Sequence, residues 1–211
     1  LYVTVKESDG GEQSFVVPFA SLAILQREGQ IDYAFSSGKT RSASSGGKEY
    51  HFLQSTLAWG ALSNVTLYGG FQQLEDKYSN ALLGAGFNLG SVGALSLDAS
   101  QSWADIKENP TADNTTASEG QSYRVRFSKD FPLTGTNFSV AGYRYSTHGY
   151  YSLQNFIDRA NAHSGCCSLT GRTKDRFDAS ASQIFSGFGS LALSLVSESY
   201  WDNSRMESLG V

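Results

Sequence analysis

Residues 64–74 read Asn64-Val65-Thr66-Leu67-Tyr68-Gly69-Gly70-Phe71-Gln72-Gln73-Leu74. Successive side chains of an extended chain point to opposite faces, so Val65, Leu67, Gly69 and Phe71 share one face. Thr66, Tyr68, Gly70 and Gln72 share the other. The same one-sided alternation returns along the chain. Leu83, Ala85, Phe87 and Leu89 form an apolar row, as do Leu95, Leu97, Ala99, Gln101 and Trp103. Tyr123, Val125 and Phe127 oppose Arg124, Arg126 and Ser128, while Phe177, Ala179, Ala181 and Phe185 oppose Arg176, Asp178, Ser180 and Ser182. Leu191, Leu193, Leu195 and Trp201 close the series. No charge interrupts any of these apolar rows, and period-two alternation on this scale predicts an all-β chain.

With residues 30–41, 49–59 and 136–147 added, the pattern gives about nine strands of roughly 9–13 residues, near the ~9–11 that a tilted bilayer-spanning strand needs and well above the usual ~5–6. The connections at 42–48, 60–63, 75–80, 90–92, 104–120, 130–135, 148–173 and 186–188 alternate longer and shorter, the asymmetry of a barrel with tight turns on one side of a membrane. Trp59, Phe71, Trp103, Tyr123 and Trp201 fall at strand ends, where half-apolar rings suit a bilayer interface. Together these features predict a fragment of a transmembrane antiparallel β-barrel. On this reading Leu67→Arg or Leu97→Arg strikes the lipid face, and Thr66→Arg, on the opposite face, is expected to be tolerated.

Composition narrows the function. Sixteen Lys and Arg stand against twenty Asp and Glu, for a net charge of −4. No basic excess exists to neutralise phosphates, so nucleic acid is excluded as a partner. Aromatics are 13% of the chain, too many for a disordered polymer. The most apolar stretch, residues 15–25, is broken by Pro18 and is too short for a spanning helix, which needs ~20 residues. Position 1 is Leu, and no leader-like segment follows, so the expectation is a processed chain or a piece of a longer one. The only cysteines, Cys166 and Cys167, are adjacent and cannot staple distant segments or ligate zinc by themselves. His51, His148 and His163 have no partner at metal spacing, and no nucleophile or phosphate-loop motif occurs. No enzyme activity, cofactor or metal is therefore expected.

One segment departs from the strand pattern. Leu153, Phe156, Ile157 and Ala160 recur at helical spacing between residues 151 and 162, with Ser152 placed to cap the start. A short helix is expected in the longest loop, with Asp158 and Arg159 adding polar contacts. Arg124, Arg126, Arg176 and Asp178 are candidates to line an aqueous lumen.

A family resemblance rests on ordered blocks along nearly the whole chain. Leu1-Tyr2-Val3-Thr4-Val5-Lys6-Glu7-Ser8-Asp9-Gly10 leads into Gln13-Ser14-Phe15-Val16-Val17-Pro18-Phe19, then Leu25-Gln26-Arg27-Glu28-Gly29. Further blocks are Phe52-Leu53-Gln54-Ser55-Thr56-Leu57, Gly120-Gln121-Ser122-Tyr123-Arg124 and Gly142-Tyr143-Arg144-Tyr145-Ser146-Thr147-His148-Gly149-Tyr150-Tyr151. The sequence closely resembles the fimbrial outer-membrane ushers of the chaperone–usher pathway. The resemblance implies residues 1–19 as the last hairpin of a plug domain, 20–29 as a linker and 30–211 as part of the barrel of a translocation pore. It implies pilus subunits and periplasmic chaperone–subunit complexes as partners, together with outer-membrane lipid and the protein's own plug. It also implies that Leu153, Phe156, Ile157, Asp158 and Arg159 belong to a helix that holds the plug. Asn114 and Asn161 then lie outside the cell and Ser63 and Leu133 in the periplasm. The alternative from another class is a passive porin-type channel, which would need neither the opening hairpin nor the 142–151 block.

Overall fold

The computed structural model describes residues 2–6, 12–16, 25–40, 49–107, 115–131, 136–161, 172–185 and 189–210. The turn after residue 6, Asn114, Leu133 and the Cys166–Cys167 pair lie outside them. Strands β1 (Tyr2–Lys6) and β2 (Glu12–Val16) pair antiparallel as a separate two-stranded sheet. The other ten strands form one antiparallel sheet in strict chain order. They are β3 (Ile31–Lys39), β4 (His51–Leu62), β5 (Val65–Leu74), β6 (Tyr78–Asn88) and β7 (Ala94–Lys107). After these come β8 (Thr115–Phe131), β9 (Thr136–Ser146), β10 (Thr173–Phe185), β11 (Gly189–Tyr200) and β12 (Arg205–Gly210). Each strand pairs with its sequence neighbours, so the sheet is an uninterrupted meander.

Three expectations about strands and their connections change. The sheet has ten strands where about nine were expected, because β12 contributes only six residues, too few for a convincing alternation. A tight turn delivers it: Asn203 takes φ 66°, and the Asp202 carboxylate accepts hydrogen bonds from the Ser204 hydroxyl (2.5 Å) and backbone N–H (2.9 Å). Those bonds hold the Asp202 carboxyl below its usual range. The loop expected at 104–120 shrinks, since pairing continues from Ala104↔Ser118 to Lys107↔Thr115. Backbone pairing extends there past the end of the apolar alternation. The strict long–short rhythm also fails at one place, because residues 75–77 form a shorter connection than residues 89–93.

The two faces of the large sheet differ sharply. Leu67, Leu97, Tyr123 and Leu193 are each more than 40% exposed, and Leu83 is 75% exposed. On the opposite face Thr66, Ser96, Ser102 and Ser146 are at most 1% exposed. A bent sheet crowds side chains on its concave side and splays them on its convex side, so small polar residues line the inside and large apolar ones the outside. Thr66 shows the consequence. Its hydroxyl accepts a bond from the Gln26 backbone N–H at 2.8 Å, and residues 26–30 lie along this face, with Gly29 N–H donating to the Gly60 carbonyl. The expected tolerance of Thr66→Arg is therefore overturned, because a long cation has no room beneath Gln26.

The concave face also holds the apolar core. Helix α1 (Leu153–Asn161) begins at Ser152, whose hydroxyl accepts the Asn155 N–H at 3.2 Å as an N-cap. Phe156 is 5% exposed among Tyr50, Leu74, Tyr78, Ala104, Ile106 and Tyr151, and Leu153, Ile157 and Ala160 pack against this cluster. Burial, and then the Glu75 carboxylate, hold the Tyr50 phenol above its usual range, so it stays neutral. The chain reaches the helix by crossing the wall in direct backbone contact. A Cβ on Gly120 would overlap the Tyr150 backbone nitrogen, and one on Gly149 would overlap the Glu119 carbonyl oxygen. The Tyr151 N–H donates to Ser102 Oγ at 3.1 Å, and Tyr78 Oη donates to the Tyr151 carbonyl at 3.1 Å.

Two outcomes follow in the full-length protein. Leu193→Arg, near the middle of the exposed apolar face, should lose assembled barrel, at a cost of about 2–4 kcal/mol if that face meets hydrocarbon. Ala192→Arg, one position away on the other face, should keep it; heat-modifiable mobility of outer-membrane fractions reads both. Gly120→Val should push the 149–151 crossing off the wall and speed proteolysis within residues 147–172. Gly70→Ala, whose added Cβ meets its nearest atom at an ordinary 3.4 Å, should leave that rate unchanged.

Candidate functional site

The ion pairs of the concave face sort into two clusters. In the first, Asp98 on β7 is 4% exposed at its side chain and accepts bonds from three directions. Tyr68 Oη donates at 3.0 Å, Arg124 Nε at 3.1 Å to both oxygens, and Arg126 Nη2 at 3.4 Å. Register explains the meeting, since Asp98 pairs directly with Arg124, and Arg126 follows two residues on along the same face. Tyr68 reaches across β6 because Gly84 has no side chain; a Cβ there would overlap the Tyr68 ring. In the second cluster, Arg176 Nε donates to the Asp178 carboxylate at 2.9 and 3.0 Å, and Arg176 Nη1 donates to Glu198 Oε1. Tyr200 Oη donates to Glu198 Oε2 at 2.5 Å.

The expected residues Arg124, Arg126, Arg176 and Asp178 thus share one face, but in two groups. Asp98, Glu198, Tyr68 and Arg144 were missed as site residues. Asp98 and Glu198 sit at the polar positions of Leu95/Leu97/Ala99 and Leu193/Leu195, a signal present in the sequence, but only the register says which arginine each one meets.

Among the helix residues, Leu153, Phe156 and Ile157 turn toward the wall of β5, β6 and β7. This apolar face is filled by the protein's own strands. The Asp158 side chain lies outside the described residues. Arg159 Nε is buried with no hydrogen-bond partner among the described residues, and Gln154 is exposed. The base of the long loop is closed by Arg172, which donates to the His148 carbonyl and stands 2.8 Å from His148 Nε2. The Arg172 guanidinium also lies 4.8 Å from the Tyr151 ring centre, and His148 packs edge-on against Trp201. No cluster of three metal-ligating side chains occurs among the described residues. What this face presents is ion pairs on a rigid wall.

Comparison with known proteins gives these surfaces a context. The family model described as outer membrane usher protein matches residues 1–210. The usher LpfC of Salmonella typhimurium is 39% identical over 211 residues, covering 99% of this chain and 24% of its own length. FimD of Escherichia coli K12 is 42% identical over 158 residues, covering 75% of this chain and 17% of its own length. Among solved structures, the translocation pore of the P pilus usher PapC superposes with a TM-score of 0.73 at 27% identity, covering 98% of this chain and 39% of the pore chain. The E. coli P pilus tip assembly intermediate PapC-PapD-PapK-PapG gives 0.67 at 26% identity, covering 98% of this chain and 24% of that one. This chain therefore spans about a quarter of the length of the relatives matched across it. Its ten-stranded sheet is an open piece of a barrel wall of the PapC kind, and by sequence the chain belongs to the outer membrane usher family.

Proposed function

We propose that this chain is part of the plugged translocation pore of an outer-membrane usher, which secretes and assembles pilus subunits delivered by a periplasmic chaperone. The observation that carries this is the two-faced sheet: ten paired strands with large apolar side chains exposed along one face and charged side chains along the other, in a chain of usher sequence. The apolar face meets lipid, and Arg124, Arg126, Arg176 and Asp178 line the lumen. Assembly requires no covalent chemistry, because a subunit exchanges the chaperone's strand for that of the next subunit by adding a β-strand. The relative named in a PapC-PapD-PapK-PapG assembly intermediate supports this kind of partner.

The domain reading fits the same picture. The β1–β2 hairpin shares no ladder with the large sheet, as the end of a plug domain would not. Residues 25–30 run along the lumen face, so a plug preceding them is tethered from inside the wall. Helix α1 docks on that wall through Leu153, Phe156 and Ile157. Its contact with the plug then falls to the opposite side, where Gln154 is exposed.

Full-length protein in vesicles, given purified chaperone–subunit complexes, should yield ordered subunit polymers. Ion conduction with no polymer under any subunit supply would instead favour a porin-type channel. Deleting residues 153–161 should raise antibiotic entry while heat-modifiable barrel persists; unchanged entry with an assembled barrel would reduce α1 to packing. Topology is checked in a Cys166→Ser, Cys167→Ser background. A cysteine at Asn203 should react with an impermeant maleimide on intact cells, and one at Ser63 only after permeabilisation.

A further inference from the structure

The register aligns Asp98, Arg124, Arg144, Arg176 and Glu198 in a single row across five successive strands. Asp98 pairs with Arg124, Arg124 with Arg144, Arg144 with Arg176 and Arg176 with Glu198. Three arginines therefore stand side by side at one height of the wall, bracketed by an acid at each end. Like charges directly opposite each other disfavour pairing, so the row is not what stability alone would select.

The two acids that end the row lie deeper than the arginines beside them. The side chains of Asp98 and Glu198 are 4% and 9% exposed, beneath Arg124 and Arg176 at 36% and 41%. Around Arg176 the Asp178 carboxylate is itself 30% exposed and bonds the guanidinium, so compensation at the surface is strongest at that end of the row. The middle cation is the least compensated. Arg144 donates its Nε–H to Ser122 Oγ at 3.0 Å, and its guanidinium lies 5.3 Å from the Tyr150 ring centre. Among the described residues no carboxylate bonds it.

We propose that this row, centred on Arg144, is an anion-attracting stripe of the lumen wall that biases small-ion permeation toward anions. The inference rests on the reading of this face as a pore lining. Guanidinium presents several N–H donors to a passing anion and stays charged throughout the physiological range. In a wide pore the influence of the wall reaches about one Debye length, about 10 Å at 0.1 M salt and 3 Å at 1 M. The bias should therefore be strong in dilute electrolyte and fade in concentrated electrolyte.

The test is the reversal potential of the full-length protein in planar bilayers under a potassium chloride gradient, read from its open bursts. Near 0.1 M, Arg144→Gln should lower the chloride-to-potassium permeability ratio by about twofold and Arg144→Glu by more, as expected for a wall charge that concentrates counter-ions locally. At 1 M the variants should converge on the parent. Arg205→Gln makes the same charge change on the opposite face and should leave the ratio unchanged. A parental ratio in Arg144→Gln and Arg144→Glu, with both barrels assembled by heat-modifiable mobility, overturns the stripe. An equal shift in Arg205→Gln overturns it too. A protein that never conducts overturns the pore reading beneath it, and is recognised by the parent itself remaining silent.

Discussion

The constraint on which this wall depends is that hydrocarbon offers backbone N–H and C=O groups no partner. Each unpaired group left there costs several kcal/mol, so a strand must be bonded along its whole membrane depth. That accounts for pairs running in register for ten or more residues, as between β5 and β6 and between β6 and β7. The ladder between β7 and β8 continues past Trp103 to Lys107↔Thr115, beyond the depth this rule governs. The rule also explains the strict chain-order meander, since hairpin neighbours reach each other without long crossovers. The outer edges of β3 and β12 carry no partner strand among the described residues, so the same rule requires further strands to close the wall.

Within that frame the interior solves a second problem, which is how to attach non-strand segments to the wall. Side chains would hold them at a distance; glycine lets backbone meet backbone. At Gly120 and Gly149 the incoming chain touches the strand directly, and Gly60 stands against the Arg27 carbonyl in the same way. Hydroxyls of Thr66 and Ser102 then satisfy the backbone N–H groups brought down onto them. Phe156 adds apolar burial worth about 1.5–3 kcal/mol for a ring fully removed from water. The helix is thereby seated on the wall by its apolar face before any other partner is considered.

Much of the fold was legible because barrel strands obey a period-two rule with little interference. Leu67, Leu97 and Leu193 sit on the exposed face that their spacing predicted, and the 153–160 spacing announced a helix. What was not legible depends on register or on approach of distant segments. Thr66 looked like an open lumen position, because nothing in its neighbourhood says that Gln26 lies on top of it. Arg124 and Arg126 were legible as candidates for a lumen lining, but only the β7–β8 register, which sets Asp98 opposite Arg124, showed the carboxylate they share. The six residues of β12 carry too short a pattern to separate from a tail, and their membership comes from pairing with β11.

The arginine row is where these levels meet. Placing Arg144 between Arg124 and Arg176 opposes cross-strand pairing, at a cost of roughly 0.2–1 kcal/mol for each like-charged contact. Alternation alone would have accepted any small polar residue there, as it does at Ser122 and Ser146 in the neighbouring positions. The wall instead keeps the guanidinium and surrounds it with compatible groups: a hydroxyl at Nε, an aromatic face from Tyr150, and buried acids one strand beyond each flanking arginine. Tyr150 is held in that place by the Gly120–Gly149 crossing, so the same backbone contact that seats α1 also supplies the ring beside Arg144. The arginine row of this face and the position of the helix therefore meet at one short segment, residues 149–151.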